Sequence, residues 1–451
     1  MKVPRSFRRA RLPPPARLLA FAVALLAAVG AYAAFAGAPL SWDGASLLFA
    51  VLDTESPYLP HHRYSVALLQ LPTLLFQRHT ENVALLSFVF SLTFAAVPAL
   101  SAFVSYRLVR DDHPRLAVWP ILWLSLGAVF GQLFFVTESL ILLAGAWPLL
   151  LVVLTRFSPP RVLLCAAIAA FAFDLHPASG PLLLLVGASA AALAFQGGPR
   201  RRSLVVAALL LAAFGFARIW VSLHDGYELS QARVDFREIW RSLRLPPAAV
   251  VASFAVVVCL VVASVVRPPR GEPLFGVMAA MLLVIAITMV RYANTPRLWQ
   301  DGLNFRFLAP FAAAPFFLGA SIAAVTTTPL NDRLSRKEAL LALGAALVCT
   351  LVLGTQCRKW VALRRSLETA VLHSSRCLSM NALPACRTTA LKWWPTPSYA
   401  LLVQGHAPRA LLLPGTDCQK RKLDEVVFVN PWYPRSRNVG WFDLREAGRG
   451  R

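Results

Sequence analysis

The chain has 451 residues, 57% of them hydrophobic and only 15% charged, with a net charge of +23. A soluble domain carries about 25% charged residues, and repeated apolar runs of roughly 18 residues or more mark an integral membrane protein. The basic excess sits largely in short loops between those runs, where the positive-inside rule puts it against anionic lipid, and no Gly-rich phosphate loop, zinc spacing or basic-aromatic stripe points to nucleic acid.

Residues 1–17 hold Lys2, Arg5, Arg8, Arg9, Arg11 and Arg17, and the apolar run 18–38 follows. Ala34-Phe35-Ala36 would suit signal cleavage, but the run is long enough to span, so we expect an uncleaved first helix with residues 39–81 as the first outer loop. That loop gathers Asp43, Asp53, Glu55, His61, His62 and Arg63. Segments 45–52 and 66–77 are expected to lie at the interface, and Pro72 should break any helix in the second.

Further spans are expected at 82–106, 116–136, 140–155, 162–173, 178–196, 203–223, 248–266, 273–290, 307–327 and 339–355, about eleven in all. Their ends alternate with arginine clusters at 107–115, 156–161, 200–202, 267–270 and 333–337, which we place inside. An interfacial helix is expected around 234–245. The fold class is thus an all-α polytopic transmembrane bundle, residues 1–355, followed by a small extracytoplasmic α+β domain, residues 356–451. Within the tail, LLVQGHAPRALLLP and EVVFVNPWY look like short strands. Four of the seven cysteines, Cys357, Cys377, Cys386 and Cys418, lie there, and in an oxidising compartment they should form two disulfides. Three pairings exist, of which Cys377–Cys386 with Cys357–Cys418 is our choice. The absence of an N-x-S/T acceptor favours a bacterial cytoplasmic membrane.

On this topology the exceptional polar residues collect outside. To the first loop are added Glu138 at a tight turn, Asp174 and His176 at a helix break before Pro177, and Arg291, Arg297, Asp301 and Arg306 from a late polar loop. Outer arginines beside outer acids suggest an anionic ligand and a general base. Each residue also has a plain structural role open to it. Asp43 and Glu138 suit helix N-caps, Asp174 and His176 suit a locked kink, and the arginines suit lipid headgroups.

The run 18–38 followed by PLSWDGASLL resembles the start of the GT-C glycosyltransferases, polytopic enzymes that take sugar from a polyprenyl-phosphate carrier. NFRFLAPFAAAPFFLG, residues 304–319, is similar to an Arg-x-x-x-Pro helix start late in that family, and KWWPTPSYALLVQGHAPRALLLP resembles the start of its terminal domains. The resemblance implies that Asp43 is the catalytic base and that Arg306 binds the carrier phosphate. It implies as partners the lipid bilayer, a polyprenyl-phosphate sugar donor and a glycan, lipid or protein acceptor. No cofactor is called for, and a divalent metal has no support in the sequence. Two departures stand out: Gly44 occupies the place where many members carry a second acid, and no Asp-x-Asp motif is present, so Glu138 would take part of that role. The rival classes are a transporter or flippase, and a non-catalytic subunit of a cell-envelope polysaccharide pathway.

Overall fold

The computed structural model describes residues 14–41, 43–59, 63–129, 136–155, 158–197, 200–230, 237, 297–326, 334–374, 377–387, 391, 396–413 and 441–442, with the backbone alone at 127–129, 159, 297–308, 311, 326 and 387. The described chain is mostly helical. Its helices are α1 (Pro15–Phe35), α2 (Asp43–Thr54), α3 (Ser65–Gln77), α4 (Val83–Val109), α5 (Val118–Val129), α6 (Glu138–Leu154), α7 (Pro159–Leu175), α8 (Ser179–Phe195), α9 (Arg201–His224), α10 (Arg297–Thr326), α11 (Arg336–Leu372) and α12 (Thr396–Leu402). Four of them, α1, α4, α9 and α11, are long and apolar enough to cross a membrane. Nine of the expected apolar runs coincide with helices, while 248–266 and 273–290 lie outside the described residues.

The centre of the bundle is α6. From Ser139 to Leu154 every residue but Gly145 is buried, because α6 is apolar on all sides and meets α4, α7, α8 and α10 around its circumference. Trp147 of α6 stacks on Phe317 of α10 with ring centroids 4.2 Å apart. Helix α1 packs against α4 and α11, and α8 pairs with α9. Interior prolines at 98, 148, 310 and 315 leave these helices continuous. In membrane helices neighbouring elements re-satisfy the freed backbone groups.

Contacts sort the helix ends into two sets. At one end, the hydroxyl of Tyr106 donates to the carbonyl of Ala16 over 3.4 Å, and Arg161 donates to the Leu108 carbonyl over 3.1 Å and to Thr155 Oγ1 over 3.2 Å. Arg200 bonds the Thr155 carbonyl. Arg115 meets Glu338 at 2.6 Å, and Glu338 also closes a capping box with Ser335 at the start of α11. The arginines of this end therefore satisfy carbonyls left open where α4 and α6 terminate. Asp43, Arg63, Glu138, Asp174 and His176 all belong to the opposite end, which we call the Asp43 end.

Two expectations about the fold fail, the break at Pro72 and the loop at 291–306. Helix α3 runs straight through Pro72. It is held at its first residue by Asp174, whose Oδ2 accepts from Ser65 N over 2.9 Å, and at its last by Gln77, whose Nε2 donates to the Leu52 carbonyl over 2.8 Å. In the tail, the expected strand LLVQGHAPRALLLP, residues 401–414, is met in part: Leu411–Leu413 is a strand, while Leu401 and Leu402 close the helix Thr396–Leu402, buried against α2. The strands are β1 (Cys377–Ser379) and β2 (Leu411–Leu413), paired in parallel with Cys377 opposite Leu411; residues 425–433 lie outside the description. The supposed loop 291–306 is helical from Arg297 on. The boundary proposed at 355 falls inside α11, whose 37 residues span about 55 Å against a hydrocarbon core of about 30 Å. The last span thus continues as helix into the tail.

Candidate functional site

The start of α2 is set by what precedes it. Helix α1 ends at Phe35, and Gly37 takes the left-handed conformation, φ 66°, that lets the chain turn into a short helical turn over Ala38–Leu40. Two side chains of α11 close the open carbonyls of α1: Arg364 Nη1 donates to Ala36 O over 2.9 Å and Trp360 Nε1 to Gly37 O over 3.1 Å. Arg364 in turn meets Glu368 at 3.1 Å, and the Tyr399 hydroxyl donates to Glu368 over 2.8 Å. Burial, and then the Glu368 charge, hold the Tyr399 phenol well above its usual range. The turn leads into α2 with Asp43 in its first turn.

Gly44 explains the departure from the paired-acid pattern. A Cβ there would sit 1.7 Å from the Pro39 carbonyl oxygen and 3.2 Å from Val136 Cγ2. No side chain fits, so a second acid at 44 is excluded by the backbone packing of the turn beneath it. The same contact brings Asp43 beside the segment that enters Glu138.

Asp43 has an electrostatic neighbour that the sequence did not suggest. The phenol of Tyr58 is pushed up to about 12, first by burial and then by the charges of Asp43 and Tyr227. Tyr58 is fixed by Gln70, wholly buried on α3, whose side chain accepts from Tyr58 N over 2.8 Å and donates to Tyr58 O over 2.7 Å. Neither tyrosine lies in a recognisable motif, and a buried glutamine in an apolar helix is the only trace in the sequence.

The other expected residues separate into groups. Arg63 and Glu138 form an ion pair at 3.2 Å, with side chains 11% and 23% exposed, joining the first loop to the start of α6. Asp174 caps α3 through Ser65 N, and His176 Nδ1 accepts from Ala178 N over 3.1 Å at the turn between α7 and α8. The first loop is thus tied at Arg63 to Glu138 and, two residues on, at Ser65 to Asp174.

Asp53 does not join them. It lies ten residues beyond Asp43 on α2, about 15 Å along the helix. Burial raises its carboxyl above the usual range, while the Phe442 backbone N–H, which donates to Oδ1 over 3.4 Å, pulls it down. Trp441 N donates to the Asp53 carbonyl over 3.1 Å, and Phe442 stacks on Phe49 with centroids 4.8 Å apart. Asp53 anchors the tail. Glu55 is exposed, in the left-handed conformation at φ 50° where α2 ends. His61, His62 and Arg291 lie outside the described residues, and of Arg297 and Arg306 only the helical backbone is described.

The disulfide expectation is corrected. Cys357 and Cys386 are free, buried thiols, so neither chosen pair forms. Cys357 packs inside the α11 interface rather than in the tail. Cys377 is disulfide-bonded, to a partner outside the described residues, and Cys418 is also outside them.

One further ion pair was not anticipated. Arg218 Nη2 meets Glu228 Oε1 at 2.6 Å, both side chains 6% exposed. The signal was legible: an arginine inside the apolar run 203–223. Among the described residues no group of three His, Cys, Asp or Glu side chains is placed to hold a metal ion. No family model, curated protein or solved structure matches the chain.

Proposed function

We propose that the chain is a membrane glycosyltransferase of GT-C layout that moves a sugar from a polyprenyl-phosphate donor to a glycan, lipid or protein acceptor outside a bacterial cytoplasmic membrane. Asp43 is the base. The arginine end faces the cytoplasm and the Asp43 end faces out, in a bundle of about eleven spans with an extracytoplasmic tail. The observation that carries the reading is the placement of Asp43, one short turn beyond the first span, on a helix start locked against Pro39 and Val136 and beside Tyr58.

A carboxylate held at that level reaches an acceptor hydroxyl from the aqueous side while the carrier tail stays in lipid, and it takes the proton as the acceptor oxygen bonds the sugar. The departing phosphate needs cationic donors. In this reading Arg306 supplies one, with Arg291 or Arg297 assisting. Glu138 is engaged with Arg63 and orients the loop instead of acting as a second acid.

The test is transfer of labelled sugar from a polyprenyl-phosphate donor by purified protein. Asp43→Asn keeps the shape and a capping oxygen but takes no proton at neutral pH, so turnover should fall about 10²–10⁴-fold with the fold intact. Unchanged turnover in a folded Asp43→Asn protein overturns the mechanism. Movement of the lipid-linked sugar across the bilayer without transfer would instead establish the flippase alternative.

A further inference from the structure

Arg218 sits six residues short of the end of α9 at His224, about 9 Å along the axis. It is one of four buried residues on the helix, with Leu204, Leu211 and Gly215. Phe216 and Trp220, on the far side of the helix, and Val221 and Leu223 are exposed. Its partner Glu228 is positioned independently. Asp225 Oδ1 accepts from Glu228 N over 2.9 Å, capping the short helical stretch 226–230 that follows α9. A guanidinium and a carboxylate are thus brought together below the end of an otherwise apolar helix.

The pair is incomplete. Arg–carboxylate pairs commonly form two parallel bonds, yet here one bond is made, and both Arg218 Nε and Glu228 Oε2 are buried with no hydrogen-bond partner among the described residues. A buried pair kept only for stability is usually no better than apolar residues, and each unsatisfied buried polar atom adds a further cost. The fork of Arg218 therefore has an open arm, near the end of a helix whose outer face carries exposed apolar side chains suited to a lipid chain. Tyr227, the neighbour of Glu228, acts on Tyr58, which places the pair next to the Asp43 region.

We propose that Arg218 binds the phosphate of a lipid-borne ligand, and that Glu228 is the internal anion this phosphate displaces. The site rests on the polyprenyl-phosphate reading above and deepens it. Binding exchanges one anion for another at the same guanidinium, so the empty site never leaves a bare buried cation. Glu228 swings free with its backbone still held by Asp225.

The exchange gives a signature that a structural ion pair lacks. In phosphatidylcholine nanodiscs, binding of a long-chain polyprenyl phosphate is compared among wild type, Glu228→Gln and the double variant Arg218→Gln with Glu228→Gln. Glutamine at 228 still offers an oxygen to Arg218 but no competing charge, so affinity should rise about 10–100-fold, the worth of a charge-assisted bond. The double variant carries no unpaired charge and should fold, and its affinity should fall below wild type by a similar factor. Neutral polyprenol should respond to neither change. Phosphatidylglycerol responding like the polyprenyl phosphate keeps the site and assigns it to bulk headgroups; inorganic phosphate alone responding overturns it. Unchanged or weaker binding by folded Glu228→Gln overturns the exchange while the donor reading stands. Failure of wild type to bind any polyprenyl phosphate removes both.

Discussion

The indole nitrogen of Trp360 donates to the carbonyl oxygen of Gly37 across 3.1 Å, joining residues 323 positions apart. With Arg364 on Ala36 it makes α11 the cap of α1. The level of Asp43 is thereby fixed by the last long helix and not by its own loop alone.

Trp360→Phe keeps the ring packing and loses the N–H. One buried hydrogen bond is worth about 1 kcal/mol, and a cation at a helix C-terminus about 0.3–1 kcal/mol more. We expect Trp360→Phe to lower the unfolding midpoint by a few degrees and Arg364→Ala by more, since Arg364→Ala also removes the ion pair with Glu368. Thermal melts in detergent check this; equal, negligible shifts would mean that the α1 end is held otherwise.

Gly44→Ala pushes a methyl into the Pro39 carbonyl. The turn or the helix must move, at a cost of about 1–3 kcal/mol. On the proposed function, transfer activity should drop together with stability, because Asp43 moves with the helix start. A variant as stable and active as wild type would contradict the close approach.

Asp53 gives a pH dependence with a definite sign. Its folded pKa is raised above the ordinary 3.8, so the folded state holds the proton more tightly than the unfolded chain does. The contribution is fully present below 3.8 and is lost as pH rises through the folded pKa. Asp53→Asn removes the titration. Relative to wild type, the variant should gain stability as pH rises through that window and level off above it. Paired melts at a series of pH values read the difference, and a flat difference would place Asp53 in water.

Burial pushes the Cys386 thiol up to about 11. At pH 8 almost none of it is thiolate, the form that reacts. A maleimide should label Cys386 only after denaturation, and non-reducing mass mapping should find Cys377 bridged with Cys357 and Cys386 free. Rapid labelling of Cys386 in the folded protein would contradict its packing.

The helical bundle was legible because run length and arginine placement are properties of the chain in one dimension. The runs 18–38, 82–106, 203–223 and 339–355 reappear as α1, α4, α9 and α11. Pairing was not legible. Asp53 and Asp43 look alike in sequence, but one meets a backbone amide at position 442 and the other a tyrosine. Cysteine spacing said nothing of Cys357, which the helix turns inward among Val352, Leu353 and Trp360. Pro72 misled because a proline's penalty is local, whereas the bonds that hold α3 come from Asp174 and Leu52.

At the arginine end, Arg161 and Arg200 both bind Thr155, and Arg161 also holds the end of α4. The charges that the positive-inside rule would read for orientation are therefore the same ones that finish these helices. Moving them to test orientation would also open the ends of α4 and α6.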